Sequence, residues 1–185
     1  MKDEPAPAMA TAHIFVATSL DGYIARADGN IDWLMKHDDS GEDYGWKAFI
    51  DDIDAIVMGR ASFETVRGLD PWPFARPVIV ASRTLDESAI PLRLADRAQI
   101  SPASPQTLLE LLADRGWSRV QVDGGRLVQS FLRAGLVSDI TITRVPVLLG
   151  SGRLLFGSLI DDIELRHMET RSWPSGLVRS RYEFS

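Results

Sequence analysis

Val120-Gln121-Val122-Asp123-Gly124-Gly125-Arg126-Leu127 is the stretch on which the fold turns. A short apolar strand ends in an acid and a glycine pair, and a helix-like segment follows until Gly135 stops it. The same order recurs at Met58-Gly59-Arg60, and Ala81-Ser82-Arg83 ends a third apolar run. Glycine lets a backbone approach a ligand closely, a helix N-terminus offers unpaired N–H groups to an anion, and arginine adds a planar fork matched to phosphate oxygens. Turn geometry alone explains any one such junction. Three of them, at strand ends of the kind where open α/β sheets bind ligands, point to a nucleotide site.

Outward from that stretch, residues 13–18 read as an apolar strand that runs into the polar turn Ser19-Leu20-Asp21-Gly22-Tyr23. Residues 31–35 and 43–52 suit helices, 55–58 a strand, 61–67 a helix and 78–81 a strand. Ser104-Pro105 supplies a capping hydroxyl and a first-turn proline, with Leu108, Leu109, Leu111 and Leu112 as the expected buried face. Beyond Gly135 the period changes. Residues 139–145 alternate polar and apolar, as a strand with one wet face does, and 163–168 and 178–184 alternate about the turn Trp173-Pro174-Ser175-Gly176. The chain therefore reads as an α/β sandwich, mostly parallel early and closing in an antiparallel hairpin. Residues 1–12 are expected as a flexible tail and 13–185 as a single domain.

Composition excludes several classes. With 185 residues, 45% hydrophobic and 25% charged, the chain has the proportions of one globular domain. It has no cysteine, so thiolate metal sites, disulfides and cysteine nucleophiles are absent. A net charge of −6 lacks the footprint of a nucleic-acid or anionic-membrane binder. No apolar run reaches the length of a membrane span, and a cytoplasmic protein with a small-molecule substrate is expected. The three histidines, His13, His37 and His167, are too scattered for a metal site.

The second junction indicates which nucleotide. Enzymes that bind NADH place an acid after the second strand to hold the ribose hydroxyls, whereas arginine there accommodates a 2′-phosphate. Ser82 and Arg83 occupy that place, with Arg60 at the neighbouring junction, so NADPH is the expected cofactor. The alternative is that Arg83 is simply a solvated loop residue.

Five segments taken in order, VATSLDGYIA (16–25), MGRASFE (58–64), VASR (80–83), VDGGRLVQSFL (122–132) and PVLLGSGRLLF (146–156), resemble the dihydrofolate reductase-like family. The resemblance is closest to the riboflavin-biosynthesis reductase domain and its bacterial relatives. It implies a three-layer sandwich about a central mixed sheet, mostly parallel and ending in an antiparallel hairpin. It further implies direct hydride transfer from NADPH to a heterocycle, carbonyl or imine, without metal or flavin. By the same resemblance Gly59, Arg60, Ala61 and Ser62 hold the pyrophosphate and 2′-phosphate region, and Ser82 and Arg83 border the adenosine. Gly124, Gly125, Arg126 and Leu127 wrap the pyrophosphate, and Ala17 and Thr18 meet the nicotinamide.

On the substrate side, riboflavin-pathway reductases commonly carry lysine after the Asp-Gly of the opening turn, where this chain has Tyr23. Asp21 is the first candidate for a proton donor; the other reading is a turn-capping carboxylate before Gly22. Tyr23 and Tyr44 are lesser candidates for catalytic or substrate contacts. Trp33 and Trp46 are candidates to stack on a planar ring, against the commoner role of core tryptophans. Leu149-Gly150-Ser151-Gly152 reads as a flexible bend beside the substrate mouth. The terminal hairpin leaves a sheet edge that a second copy would cover, so a homodimer is expected. A competing function on the same fold is a non-catalytic NADPH-binding sensor or interaction protein.

Overall fold

The computed structural model describes residues 9–37 and 41–185. In chain order the elements are β1 (Thr11–Ser19), β2 (Tyr23–Ala25), α1 (Asp32–Met35), α2 (Trp46–Asp51), β3 (Ala55–Gly59), α3 (Arg60–Val66), β4 (Val78–Ala81) and β5 (Ala98–Ser101). They continue with α4 (Pro105–Asp114), β6 (Arg119–Asp123), α5 (Gly125–Arg133), β7 (Val137–Val145), β8 (Arg153–Leu154), β9 (Leu165–Ser172) and β10 (Val178–Phe184).

Eight strands form one sheet in the order β5-β4-β3-β6-β1-β7-β10-β9. The first six are mutually parallel, and β10 runs antiparallel to both β7 and β9. This is the mixed sheet with a closing hairpin that the residue pattern indicates. β2 and β8 make a separate antiparallel pair.

Strand alternation builds the three layers. On β3, Ala55 and Val57 join a core with Leu108, Leu109 and Leu112 of α4 and Val128, Phe131 and Leu132 of α5. Ile56 and Met58, one residue out of phase, pack instead with Phe63 of α3 and Ile50 of α2. Helices α4 and α5 thus cover one face and α2 and α3 the other. Ser104 caps α4 as expected, its side chain accepting from the Thr107 N–H. Leu111 is exposed, because 100° per residue rotates it off the stripe formed by Leu108, Leu109 and Leu112.

Three expectations need correction. The first strand starts at Thr11, and Ala10 and Ala12 are buried in the core, so the tail expected over 1–12 ends earlier; its first eight residues lie outside the described ones. The polar side of β7 is not wet: Asp139, Thr141 and Thr143 are all buried. His13 on β1 satisfies Asp139, its Nδ1 lying 2.7 Å from Oδ2, while its Nε2 meets Thr11 Oγ1 at 2.8 Å. Lastly, β2, β5 and β8 are strands of two to four residues that carry too few positions to show a period.

Candidate functional site

β1 and β6 part company near their carboxyl ends. Their parallel register covers Thr11↔Arg119, Ala12↔Val120 and His13↔Gln121 only. Beyond it β1 continues to Ser19 paired with β7, and β6 continues to Asp123 paired with β3. The helix that follows β1 in the main sheet, α2, lies on one face, and the helix that follows β6, α5, lies on the other. Adjacent strands whose connections leave toward opposite faces define the crevice where open α/β sheets take ligands. Ala17 and Thr18 lie on the stretch of β1 that borders this gap.

The three junctions meet on its other bank. Gly59 aligns with Ala81 of β4, and Met58 with Asp123 of β6, so the ends of β4, β3 and β6 stand side by side. Arg60 spans two junctions: its Nε donates to Glu64 Oε1 at 2.9 Å and its Nη1 to Thr84 Oγ1 at 3.1 Å. Ser82 Oγ accepts from the N–H groups of Thr84 and Leu85 and so shapes that turn, with Arg83 exposed beside it. At the third junction Gly124 has φ +96°, and a Cβ there would lie 2.6 Å from Ser62 Oγ. Only glycine lets the β6–α5 turn come this close to α3. Leu127 packs toward Gly59, and Ile24 with Leu154 of the small sheet lies against Gly125. Ala61 and Arg126 are exposed on the same rim.

Asp123 is a carboxyl that the residue pattern did not single out as an acid. Desolvation pushes its pKa up, against the opposing hydrogen bonds from the Ser62 side chain and the Gly124 N–H. The signal in the sequence was its place at the tip of β6, masked there by the glycines that follow it.

Asp21 behaves in the opposite way. Its carboxylate accepts from Ser19 Oγ at 2.6 Å, from the Leu149 N–H at 3.1 Å and from the Gly150 N–H at 2.7 Å. The Ser19 hydroxyl, with help from the two amides, holds its pKa below the ordinary carboxylate value in spite of some desolvation. Asp21 thus ties its turn to the Leu149–Gly150 backbone, while the cap within the turn is Ser19, whose Oγ accepts from the Tyr23 N–H at 3.0 Å. The Leu149–Gly150 bend is accordingly tied down instead of flexible.

Tyr23 starts β2, and its hydroxyl donates to the Gly150 carbonyl at 3.4 Å. Tyr44 has φ +49°, and its ring meets Trp173 edge-on at 5.2 Å. Trp33 is buried with Val145 and Leu177, as a core tryptophan is, and is not an open stacking platform. Trp46 packs edge-on to Phe15 of β1, with centroids 5.5 Å apart, and Phe49 joins them. Trp46 thus packs on β1, and Trp33 and Tyr44 cluster with Val145 and Trp173, whereas Tyr23 belongs to the small sheet.

The family model of the RibD C-terminal domain matches residues 11–178. The chain belongs to this family. It is 30% identical over 162 residues to the uncharacterized protein YwjB of Bacillus subtilis strain 168, covering 86% of this chain and 90% of that protein. A solved structure described as a putative riboflavin biosynthesis protein of Shewanella sp. PV-4 superposes with a TM-score of 0.89 at 32% identity, covering 95% of this chain and 99% of the other. The fold is also that of a Thermotoga maritima diaminohydroxyphosphoribosylaminopyrimidine deaminase/5-amino-6-(5-phosphoribosylamino)uracil reductase, with a TM-score of 0.70 at 13% identity over 96% of this chain and 57% of that one. Among the described residues no helix is long and apolar enough to cross a membrane.

Proposed function

We propose that the protein is an NADPH-dependent reductase acting on a small heterocyclic, carbonyl or imine substrate. The observation that carries the reading is the gap between β1 and β6, banked by three strand-end junctions that Arg60 and Gly124 draw together. The residues fit a dinucleotide. The Gly124 backbone is bare of side chain at a turn that opens α5, and Arg60 and Arg83 are arginines at neighbouring strand ends, with no acid at the tip of β4.

In this reading Gly59, Ala61 and Ser62 line the phosphates with Gly124, Gly125, Arg126 and Leu127, while Arg60, Ser82 and Arg83 border the 2′-phosphate and adenosine. Ala17 and Thr18 border the nicotinamide. The cofactor, when bound, supplies the hydride. The chain's own part is to orient the acceptor and hold a proton near it. Asp123 is the carboxyl suited to the proton, because burial favours its neutral form. Asp21 is a positioning residue that fixes the Leu149–Gly150 backbone at the mouth. Trp46, Tyr44 and Tyr23 form the substrate wall.

Calorimetric titration with NADPH and NADH tests the cofactor half. Micromolar NADPH binding with NADH at least tenfold weaker is expected. Equal affinities, or none, would remove the reading. Oxidation of NADPH against a panel of pterins, pyrimidines and quinones tests the chemistry. The engagement of Asp21 by backbone amides favours one alternative, a cofactor-binding sensor without turnover, and tight NADPH binding with no oxidation across the panel would select it.

A homodimer belongs to the same proposal. β9 is an edge of the main sheet with all eight residues exposed, among them the apolar Leu165 and Met168. A second copy would pair or cover it.

A further inference from the structure

A groove of about 280 Å³ opens near the amino ends of β4 and β5, lined by Asp70, Pro71, Trp72, Arg93, Leu94 and Arg97. The Val78 N–H donates to the Arg97 carbonyl, so the groove lies where β4 begins. The three junctions of the cofactor reading stand at the other end of these strands, beyond Ala81. Pro71 and Trp72 belong to the proline-rich loop before β4, for which the reductase reading has no use.

The walls of the groove differ in chemistry. Leu94 supplies an apolar floor, and Trp72 is braced edge-on against Phe74, with centroids 5.0 Å apart, at the border of the core that holds Phe63 and Val78. A half-buried indole fixed in this way presents a rigid flat surface. Arg93 is anchored too. Its Nη2 donates to the Arg67 carbonyl at 2.6 Å, just beyond α3, which leaves its Nε and Nη1 for other partners. Among the described residues no carboxylate lies within ion-pair distance of Arg93 or Arg97. The chain carries 26 acids against 20 lysines and arginines, so counter-ions are not scarce. Asp70 is the one acid of the lining and leaves it with a net positive charge. A lone solvated arginine calls for no ligand. Two without counter-ions, on one concavity with an indole, match an anion that has a flat apolar body.

We infer that this groove binds a small aromatic anion, a planar ring that carries a carboxylate or phosphate, with the ring against Trp72 and Leu94 and the anionic group held by Arg93 and Arg97. Size narrows the class. The volume falls just below the roughly 300 Å³ at which drug-sized sites begin, which suits a ring with its substituent and not a dinucleotide. Guanidinium forks pair bidentately with either anionic group and also stack on ring faces. The site is separate from the gap between β1 and β6, and it does not rest on the reductase reading.

The test follows the indole N–H signals of the full chain by NMR, with the Trp72 signal identified by its loss in Trp72→Phe. Benzoate and phenyl phosphate are titrated at low salt. Each is expected to shift the Trp72 signal saturably, the tighter one with a Kd of about 1 mM or below, and the tighter one names the anionic group. Benzamide keeps the ring without the charge, and inorganic phosphate keeps the charge without the ring. Both should bind about tenfold more weakly. Arg97→Gln and Arg93→Gln should each weaken the aryl anion about tenfold, and Arg97→Lys, which keeps the charge, should weaken it less. Thermal melts check that each variant folds. Arg97 has no side-chain partner to lose, so its two variants carry the test if Arg93→Gln does not fold. No saturable Trp72 shift with either aryl anion, benzamide or inorganic phosphate binding as tightly, or unchanged affinity in Arg97→Gln would overturn the assignment.

Discussion

Arg60 Nη1 donates to Thr84 Oγ1 at 3.1 Å, joining the start of α3 to the turn after β4. The guanidinium is thereby aimed along the rim that the 2′-phosphate would occupy, with Glu64 steadying its other edge. Arg60→Ala is expected to weaken NADPH about tenfold and to change NADH less than twofold. Paired binding isotherms measure this. A parallel loss for both nucleotides would show that Arg60 only shapes the turn.

Asp21→Asn should loosen the tie to Leu149 and Gly150. The native carboxyl has its pKa depressed, so its stabilising contribution is complete above the ordinary carboxylate value of about 3.9 and disappears as the pH falls through its lower native value. The variant should therefore melt below the parent at pH 7, with the gap closing in acid. Melting curves between pH 2.5 and 7 follow it. A gap independent of pH would dissociate the carboxylate from the loop.

Asp123→Asn has the reverse sign. A raised native pKa means that the folded state binds the proton more tightly than the unfolded chain does. The parent accordingly loses stability as the pH rises from the ordinary carboxylate range through the native value. The neutral isostere should be at least as stable at pH 7. If Asp123 holds the catalytic proton, kcat should fall about a hundredfold with NADPH affinity kept. Denaturation and steady-state kinetics separate the two effects.

Asp139→Ala removes one partner of a buried pair and leaves the His13 Nδ1 without its acceptor, while Arg181 keeps only Glu183. A loss of about 3 kcal/mol is expected. Burial pushes this carboxyl up, but the hydrogen bond and charge of His13, with Arg181 and Arg119, hold it below the ordinary value. Its contribution is thus present at neutral pH and fades in acid. Urea denaturation at pH 7 and pH 3 should find the variant's deficit large at the first and small at the second.

Light scattering at micromolar concentration should give twice the 20.5 kDa chain mass. Met168→Lys, on the exposed edge strand, should shift the population toward one chain with NADPH affinity unchanged. A single-chain mass for the parent would end the dimer proposal.

The parallel half of the fold was legible because β3 and β4 are apolar on both faces, and β3, β4 and β6 each run into a glycine, serine or arginine junction, a local signal that needs no knowledge of partners. The meeting of the three junctions at neighbouring strand ends was legible for the same reason. The face shared by β1, β7 and β10 was not. Phe15 meets Trp46 and Phe49 there, and Trp33 packs with Val145 and Leu177, pairings between segments far apart in the chain. Asp21 shows the limit most plainly. Its acceptor role depends on two amides 128 and 129 positions away, which no local pattern contains.

Only three residue pairs stitch β1 to β6, all at the amino end of the strands. Beyond that short seam the two halves of the sheet are held by the core they share, in which Ile14, Ile140 and Ile142 pack with Val57, Val120 and Val122. A ligand seated in the gap, as proposed, would add a second tie between the halves, and its binding would then also raise the melting temperature.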